Sequence, residues 1–174
     1  PLRLVGSEMC IRDRNEINKV KIIFFDIDGT LLEMGKTEIT PNMRKALCSL
    51  KQNGIKICIA TGRPFVTIPM FEGIVFDAIL AFNGSFCVAG DQVVAKCPIP
   101  KEDVKKIIEN AKRMERPVSI ATAEEIVANG SDKDLEDYFA IAHHRVNVSE
   151  KFEEYVEKDV FQIMLGCDLE ERKY

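Results

Sequence analysis

Tryptophan is absent from the 174 residues, tyrosine occurs three times, and the only histidines are the neighbours His143 and His144. Adjacent helix positions face away from each other, so that pair offers no structural zinc site and is expected in a surface or packing role. Basic charge is short as well: 24 Lys and Arg stand against 28 Asp and Glu, a formal net charge of -4. Binders of nucleic acid or anionic membrane carry the opposite balance, so the expected partner is a small molecule, with no nucleic acid and no membrane. No apolar run reaches the roughly 18 residues that a bilayer span needs, and no secretory signal opens the chain; a cytoplasmic location is expected. The six cysteines (Cys10, Cys48, Cys58, Cys87, Cys97, Cys167) form no C-x-x-C pair, and most sit among apolar residues, so they read as reduced core thiols. Repeats, low-complexity tracts and Pro/Gly/Ser linkers are also lacking, so the units of the chain should lie directly against each other.

Both ends are atypical. The chain opens at Pro1 without an initiator Met, and PLRLVGSEMCIRDRN has neither a helical nor a strand period. The stretch VGSEMCIRDR resembles translated sequencing-adapter sequence, so residues 1–17 are set aside as a non-native or disordered extension. GCDLEERKY, at the other end, follows an apolar run with no capping or turn signal, the pattern expected of a truncated gene.

What remains carries 46% hydrophobic residues, enough for one ordinary domain or one domain with a small insert. Val20 to Phe25 is a β-branched and aromatic run interrupted only by Lys21, the pattern of a parallel strand covered on both faces. Thr40 and Pro41 then supply an N-cap and a first-turn proline, Met43, Leu47 and Leu50 share one helical stripe, and Gly54 closes the helix. Buried strands follow at Ile55 to Ala60 and Ala78 to Phe82, the latter ending in Asn83-Gly84. Strand, helix, strand means a parallel pair with a right-handed crossover, the unit of doubly wound α/β sheets. From about Val88 the texture changes to a hairpin around Gly90-Asp91, a helix from Lys101 to Arg116 and strands at Val118–Ala121, Ile126–Ala128 and Val160–Leu165. Helices near Asp132 to His143 and Phe152 to Lys158 complete an α+β insert. The acidic run from Asp132 to Asp137 is expected to be a solvated helix face.

Chemistry concentrates in Asp26-Ile27-Asp28-Gly29-Thr30-Leu31-Leu32, at the end of the first strand. Residues two apart on an extended chain point to one side, so Asp26 and Asp28 share a site. That site lies beyond the carboxyl end of a strand, where open α/β sheets bind ligands. Paired carboxylates suit a magnesium ion, which takes one or two of them together with substrate phosphate. One carboxylate can then attack phosphorus and form an aspartyl phosphate. The other can serve as acid and base, its ionisation disfavoured by the negative neighbour. Gly29 permits a tight turn beside the phosphate. The second strand ends in Thr61-Gly62-Arg63-Pro64, where the hydroxyl, the small glycine and the amino end of a following helix would meet the same anion, Arg63 being a weaker candidate. Asn83-Gly84 is read as a turn that also lines the phosphate site. Gly35-Lys36-Thr37 does not complete a P-loop, because Gly29 stands one residue too early and no helix is expected to open there.

FFDIDGTLL, IATGRP and FNGS, in this order, resemble the opening motifs of haloacid dehalogenase-like (HAD) hydrolases, and most closely those of the Cof-type phosphatases. The resemblance spans most of residues 18–174. It implies a nucleophile at Asp26, an acid/base at Asp28, both as metal ligands, phosphate binding by Thr61, and a requirement for Mg2+. It also implies a partial doubly wound parallel, HAD-like (Rossmannoid) sheet over residues 18–87, with an inserted IIB-type α+β cap over 88–174. The family's later motifs, a lysine that stabilises the phosphoaspartate and a Gly-Asp pattern that completes the metal site, follow the cap. Gly166-Cys167-Asp168 stands in the wrong context to replace the latter. The expected activity is hydrolysis of small phosphate esters, sugar phosphates or phosphorylated cofactors, by the whole enzyme. A catalytically silent fragment and a phosphosugar mutase relative are the alternatives.

Overall fold

The computed structural model describes residues 20–33, 35–141 and 144–166. The extension set aside at 1–17, together with Cys10, His143 and Cys167, falls outside the described residues.

Three strands, β1 (Ile22–Phe25), β2 (Lys56–Ala60) and β3 (Ala78–Ala81), lie side by side and parallel. Helix α1 (Pro41–Gln52) makes the first crossover. Thr40 Oγ1 accepts the Met43 N–H at 3.2 Å, and Pro41 occupies the first turn. At the other end the Gly54 and Ile55 amides return to Lys51 and Leu50 oxygens at 2.9 and 3.0 Å, closing the helix on a left-handed Gly54. Leu47 is fully buried and, with Met43 and Leu50, packs α1 on Ile57 and Ile59 of β2. Strand β2 is buried on both faces, as its uninterrupted apolar run predicts. β1 is not: Phe24 remains 50% and Ile22 44% exposed. Phe25 packs into the cluster beneath α1, and the alternate residues of β1 point to the uncovered side.

The first sheet is longer than the sequence implied. β4 (Phe86–Ala89) pairs antiparallel with β3, and β5 (Gln92–Lys96) with β4, giving the order β1-β2-β3-β4-β5. The hairpin around Gly90-Asp91, expected to open the second unit at Val88, is therefore bonded into the first sheet. The cause is the reversal at Asn83-Gly84, which turns the chain immediately after β3 and leaves the next strand no nearer partner. The chain leaves this sheet after Lys96.

The second unit is α+β. Helix α2 (Lys101–Arg113) precedes β6 (Ser119–Ala121), which is the middle strand of an antiparallel sheet between β7 (Ile126–Ala128) and β8 (Gln162–Met164). Helices α3 (Lys133–Ile141) and α4 (Phe152–Val156) intervene between β7 and β8. α2 stops three residues short of the expected Arg116. Pro117 disfavours a helical Arg116, and the chain closes through Glu115 at φ +56°, the Glu115 and Arg116 amides reaching Lys112 and Ala111 oxygens at 3.1 and 2.9 Å. The acidic run is not simply a solvated face: Asp132 Oδ1 caps α3 by accepting the Leu135 N–H at 2.8 Å, and the half-buried Arg116 pairs with Asp132 and Asp134 at 3.3 and 2.9 Å.

The two sheets meet in one apolar cluster. Ala81, Phe82 and Phe86 come from the first; Ala121, Leu135, Phe139 and Phe161 are among the contributions of the second. The Phe161 ring stacks on Phe82 at 5.2 Å and lies 5.3 Å from Phe86. A Lys96–Asp159 ion pair at 2.6 Å closes the rim. Of the cysteines, Cys58 is buried and Cys48 and Cys87 are half-buried, but Cys97 is exposed, because it lies in the segment that leaves the first sheet.

Candidate active site

Beyond β1 the chain turns back on itself within seven residues. The Leu31 and Leu32 amides reach the Asp26 and Ile27 oxygens at 3.3 and 2.8 Å, and Gly29 donates to Leu32 O at 2.7 Å. Gly29 sits at φ +81°, a conformation that a side chain would strain. Ile27, Leu31 and Leu32 are buried in the cluster beneath the sheet end. Alternation with these anchors leaves Asp26 and Asp28 exposed on one side of the turn.

Thr61, 5% exposed, ends β2 next to this turn. Its N–H donates to Leu80 O at 2.9 Å, and its Oγ1 accepts the Arg63 N–H at 3.2 Å. Asn83 donates its backbone N–H to Thr61 O at 3.0 Å, and a Cβ on Gly62 would come within 3.0 Å of Asn83 Oδ1, so the glycine allows that close approach. Phe82 and Asn83 both adopt positive φ, +50° and +56°. For a bulky residue this is an outlier of the kind that concentrates at functional sites. Phe82 is held there by its N–H to Arg63 O at 3.0 Å and by the stack on Phe161. The helix expected after Pro64 is only a 3-10 turn, Phe65–Thr67, since β-branched residues and Pro69 follow at once. No helical amino end therefore opens beside Thr61 and Gly62.

Arg63 is more deeply engaged than its sequence context implied. Its Nε and Nη2 donate to Asp28 Oδ2 and Oδ1 at 2.8 and 2.7 Å, and its Nη1 donates to Thr67 O at 3.2 Å. This two-point grip holds the Asp28 carboxyl below the usual carboxylate range, chiefly through the guanidinium hydrogen bonds, against a smaller opposing effect of burial. The same pair raises Arg63. The expectation that Asp26 would disfavour ionisation of Asp28 is thereby opposed, because a cation contacts both Asp28 carboxylate oxygens.

A cleft of about 420 Å³ runs over these groups. Asp26, Asp28, Thr61, Gly62 and Arg63 line it from the first unit; Tyr138, Phe139, His144 and Gln162 face them from the second. Gly29 and Asn83 shape the neighbouring backbone and are not among the lining residues. Lys36 and Thr37 line the cleft from a loop, with no helix opening there. The second unit's lining residues were invisible in the sequence, because only the packing of the two sheets brings α3, β7 and β8 over the carboxylates. Among the described residues no group of three or more His, Cys, Asp and Glu side chains gathers as a metal site. Asp26 offers a hard carboxylate donor of the kind magnesium takes together with phosphate oxygen, whereas both carboxylate oxygens of Asp28 are held by Arg63.

Residues 23–174 match the haloacid dehalogenase-like hydrolases, and the chain belongs to that family. YkrA of Bacillus subtilis, which bears a phosphatase name, is 31% identical over 156 residues, covering 88% of this chain and 60% of its own. The 5-amino-6-(5-phospho-D-ribitylamino)uracil phosphatase YitU of the same organism is 39% identical over 70 residues, 39% of this chain and 26% of its own. Among solved structures, BT1666 from Bacteroides thetaiotaomicron, described among phosphatases of the HAD superfamily, superposes with a TM-score of 0.78 at 28% identity, covering 92% of this chain and 60% of that one. The HAD subclass IIB sugar phosphatase BT4131 gives 0.70 at 29% identity, covering 88% and 61%. The chain thus spans about three fifths of the length of YkrA and of both structures.

Proposed function

We propose that this chain supplies the nucleophile half of a magnesium-dependent phosphatase for small phosphate monoesters, working through an aspartyl phosphate on Asp26. The observation that carries the reading is the placement of Asp26 and Asp28 on one side of a tight turn at the carboxyl end of a parallel sheet, with Thr61 and Gly62 at the end of the next strand. An Asp26 carboxylate oxygen attacks phosphorus, and the bond from phosphorus to the leaving oxygen breaks as that oxygen takes a proton from Asp28. Water then attacks phosphorus, Asp28 takes its proton, and the bond to Asp26 breaks. Thr61 and the backbone at Gly62 orient the phosphate, while Gly29 and Asn83 hold the loops that shape its cradle. Asp26 and a backbone or side-chain oxygen of Asp28 would hold the magnesium ion, which when bound offsets the charge of carboxylate and phosphate. The first sheet acts as the catalytic body and the second unit as a cap over the leaving group.

Arg63 keeps Asp28 ionised at rest, the state from which it can take a proton from water. Its service as an acid requires the guanidinium pair to open. Sugar phosphates and phosphorylated cofactors are the substrate classes proposed, in keeping with the names of BT4131 and YitU.

The 174 residues by themselves are proposed to turn over slowly. Only two carboxylates gather at the described site, and phosphoryl transfer depends on charges fixed around the transferred group. Release of phosphate from 4-nitrophenyl phosphate, followed with magnesium and after chelation, tests the function. Activity that needs the metal and falls by several orders of magnitude in Asp26→Asn supports it. Equal turnover after chelation, or in the variant, overturns it.

A further inference from the structure

We propose that Gln162 is a positioning residue for Asp28: its side-chain oxygen receives the Arg63 guanidinium when Asp28 turns to the leaving group, and the new bond ties the second unit to the first. The inference rests on the phosphatase reading and names the step that frees Asp28 to act as an acid.

Asp28 cannot hold Arg63 and donate a proton at once. Both of its carboxylate oxygens accept from Arg63, at 2.8 and 2.7 Å, and a carboxyl that carries a proton keeps neither the charge nor the paired acceptors of that grip. The guanidinium so released does not simply pass into water. Its side chain is 26% exposed, and Nη1 stays tethered to Thr67 O at 3.2 Å. A partly desolvated cation that loses its partner is costly, so the remaining N–H groups need another acceptor within reach of the side chain.

Gln162 offers one. It lines the same cleft as Arg63 and Asp28, from β8 of the second unit, and its Oε1 is buried with no hydrogen-bond partner among the described residues. Buried polar atoms are ordinarily satisfied, so an acceptor left open in the resting site points to a donor that arrives later. The other neutral oxygens of the cleft are less suited. Thr61 Oγ1 already accepts the Arg63 N–H, Thr67 Oγ1 donates to Pro64 O at 2.8 Å, and Thr37 and Tyr138 stand at exposed positions where water serves their hydroxyls. Lys36 and His144 also line the cleft as possible donors, but both are exposed and neither loses a partner when Asp28 is protonated. One event thus leaves Arg63 short of an acceptor beside an acceptor short of a donor. The bond they form crosses the cleft and draws the second unit over the ester while Asp28 faces the leaving oxygen.

Asp28→Ala releases the guanidinium without any ligand, so urea denaturation of the 174-residue chain compares the two states. With Asp28 in place, Gln162→Leu should leave stability unchanged or raise it, because it removes an acceptor that has no donor. In the Asp28→Ala chain the same substitution should lower the folding equilibrium constant about fivefold, the scale of one net hydrogen bond. In the chain carrying both Asp28→Ala and Arg63→Ala, that loss should vanish. The Asp28 side chain is 46% exposed, so its truncation leaves the fold intact. Gln162→Met, which keeps the side-chain length without the amide oxygen, repeats the comparison if the leucine variant does not fold. A Gln162 effect of one sign with and without Asp28 overturns the inference, and so does a loss that persists without Arg63, which would assign the donor to another group such as Lys36. Either outcome leaves the phosphatase reading standing, since hydrolysis of 4-nitrophenyl phosphate decides that separately.

Discussion

That Asp26, Asp28 and Thr61 line one cleft could be read from the sequence, because each stands within a few residues of a strand end. The partnership of Asp28 with Arg63 could not, since 35 residues separate them and only the parallel pairing of β1 and β2 brings their loops together. Its consequence is measurable. Arg63 favours the ionised form of Asp28, so Arg63→Ala should let that carboxyl return upward toward its ordinary range. The acid limb of kcat/KM for an aryl phosphate should then move to higher pH. In stability the sign is that of any depressed carboxylate: the pair contributes above the ordinary carboxyl range, and the contribution is lost as pH falls through the depressed value. That contribution should be small, because the Asp28 side chain is 46% exposed and water screens it. A pH profile unchanged by Arg63→Ala would show that the pair does not control Asp28.

Elements with complete local signals were legible. α1 has its threonine cap, first-turn proline and closing glycine, and it forms where they say. Two other segments were not, for distinct reasons. The turn after Pro64 lacks room for a helix before Pro69, and the Gly90-Asp91 hairpin pairs with a strand that the sequence had assigned to another unit. At the end of α2, a glutamate occupies the left-handed position that glycine fills in α1. Glu115→Gly removes the Cβ strain there while keeping both closing hydrogen bonds, and should stabilise the protein by about 0.5–1 kcal/mol in urea denaturation. A loss of stability of the same size would mean that the glutamate side chain supplies more than its backbone costs.

The arrangement of the two units depends on contacts between residues 79 and 75 positions apart, about half the described chain. Phe82 follows β3, Phe86 lies in β4 and Phe161 leads into β8, and no periodicity links them. Phe161→Ala should destabilise the fold by about 3–5 kcal/mol, since it empties a buried ring site between two sheets. It should also weaken any preference between phosphate esters, because the second unit's surface loses its fixed position over the carboxylates. A loss under about 1 kcal/mol would indicate that the sheets are held by other contacts.

On the proposed reading, these contacts present Asp26 to a phosphoryl group. Mixing the chain with acetyl phosphate and magnesium, quenching in acid and mapping the phosphorylated peptide by mass spectrometry examines that directly. A single added phosphoryl group on Asp26, absent from Asp26→Asn and accumulating in Asp28→Asn, is the predicted result. A phosphoryl group on another residue, or one that persists undiminished in Asp26→Asn, would contradict it.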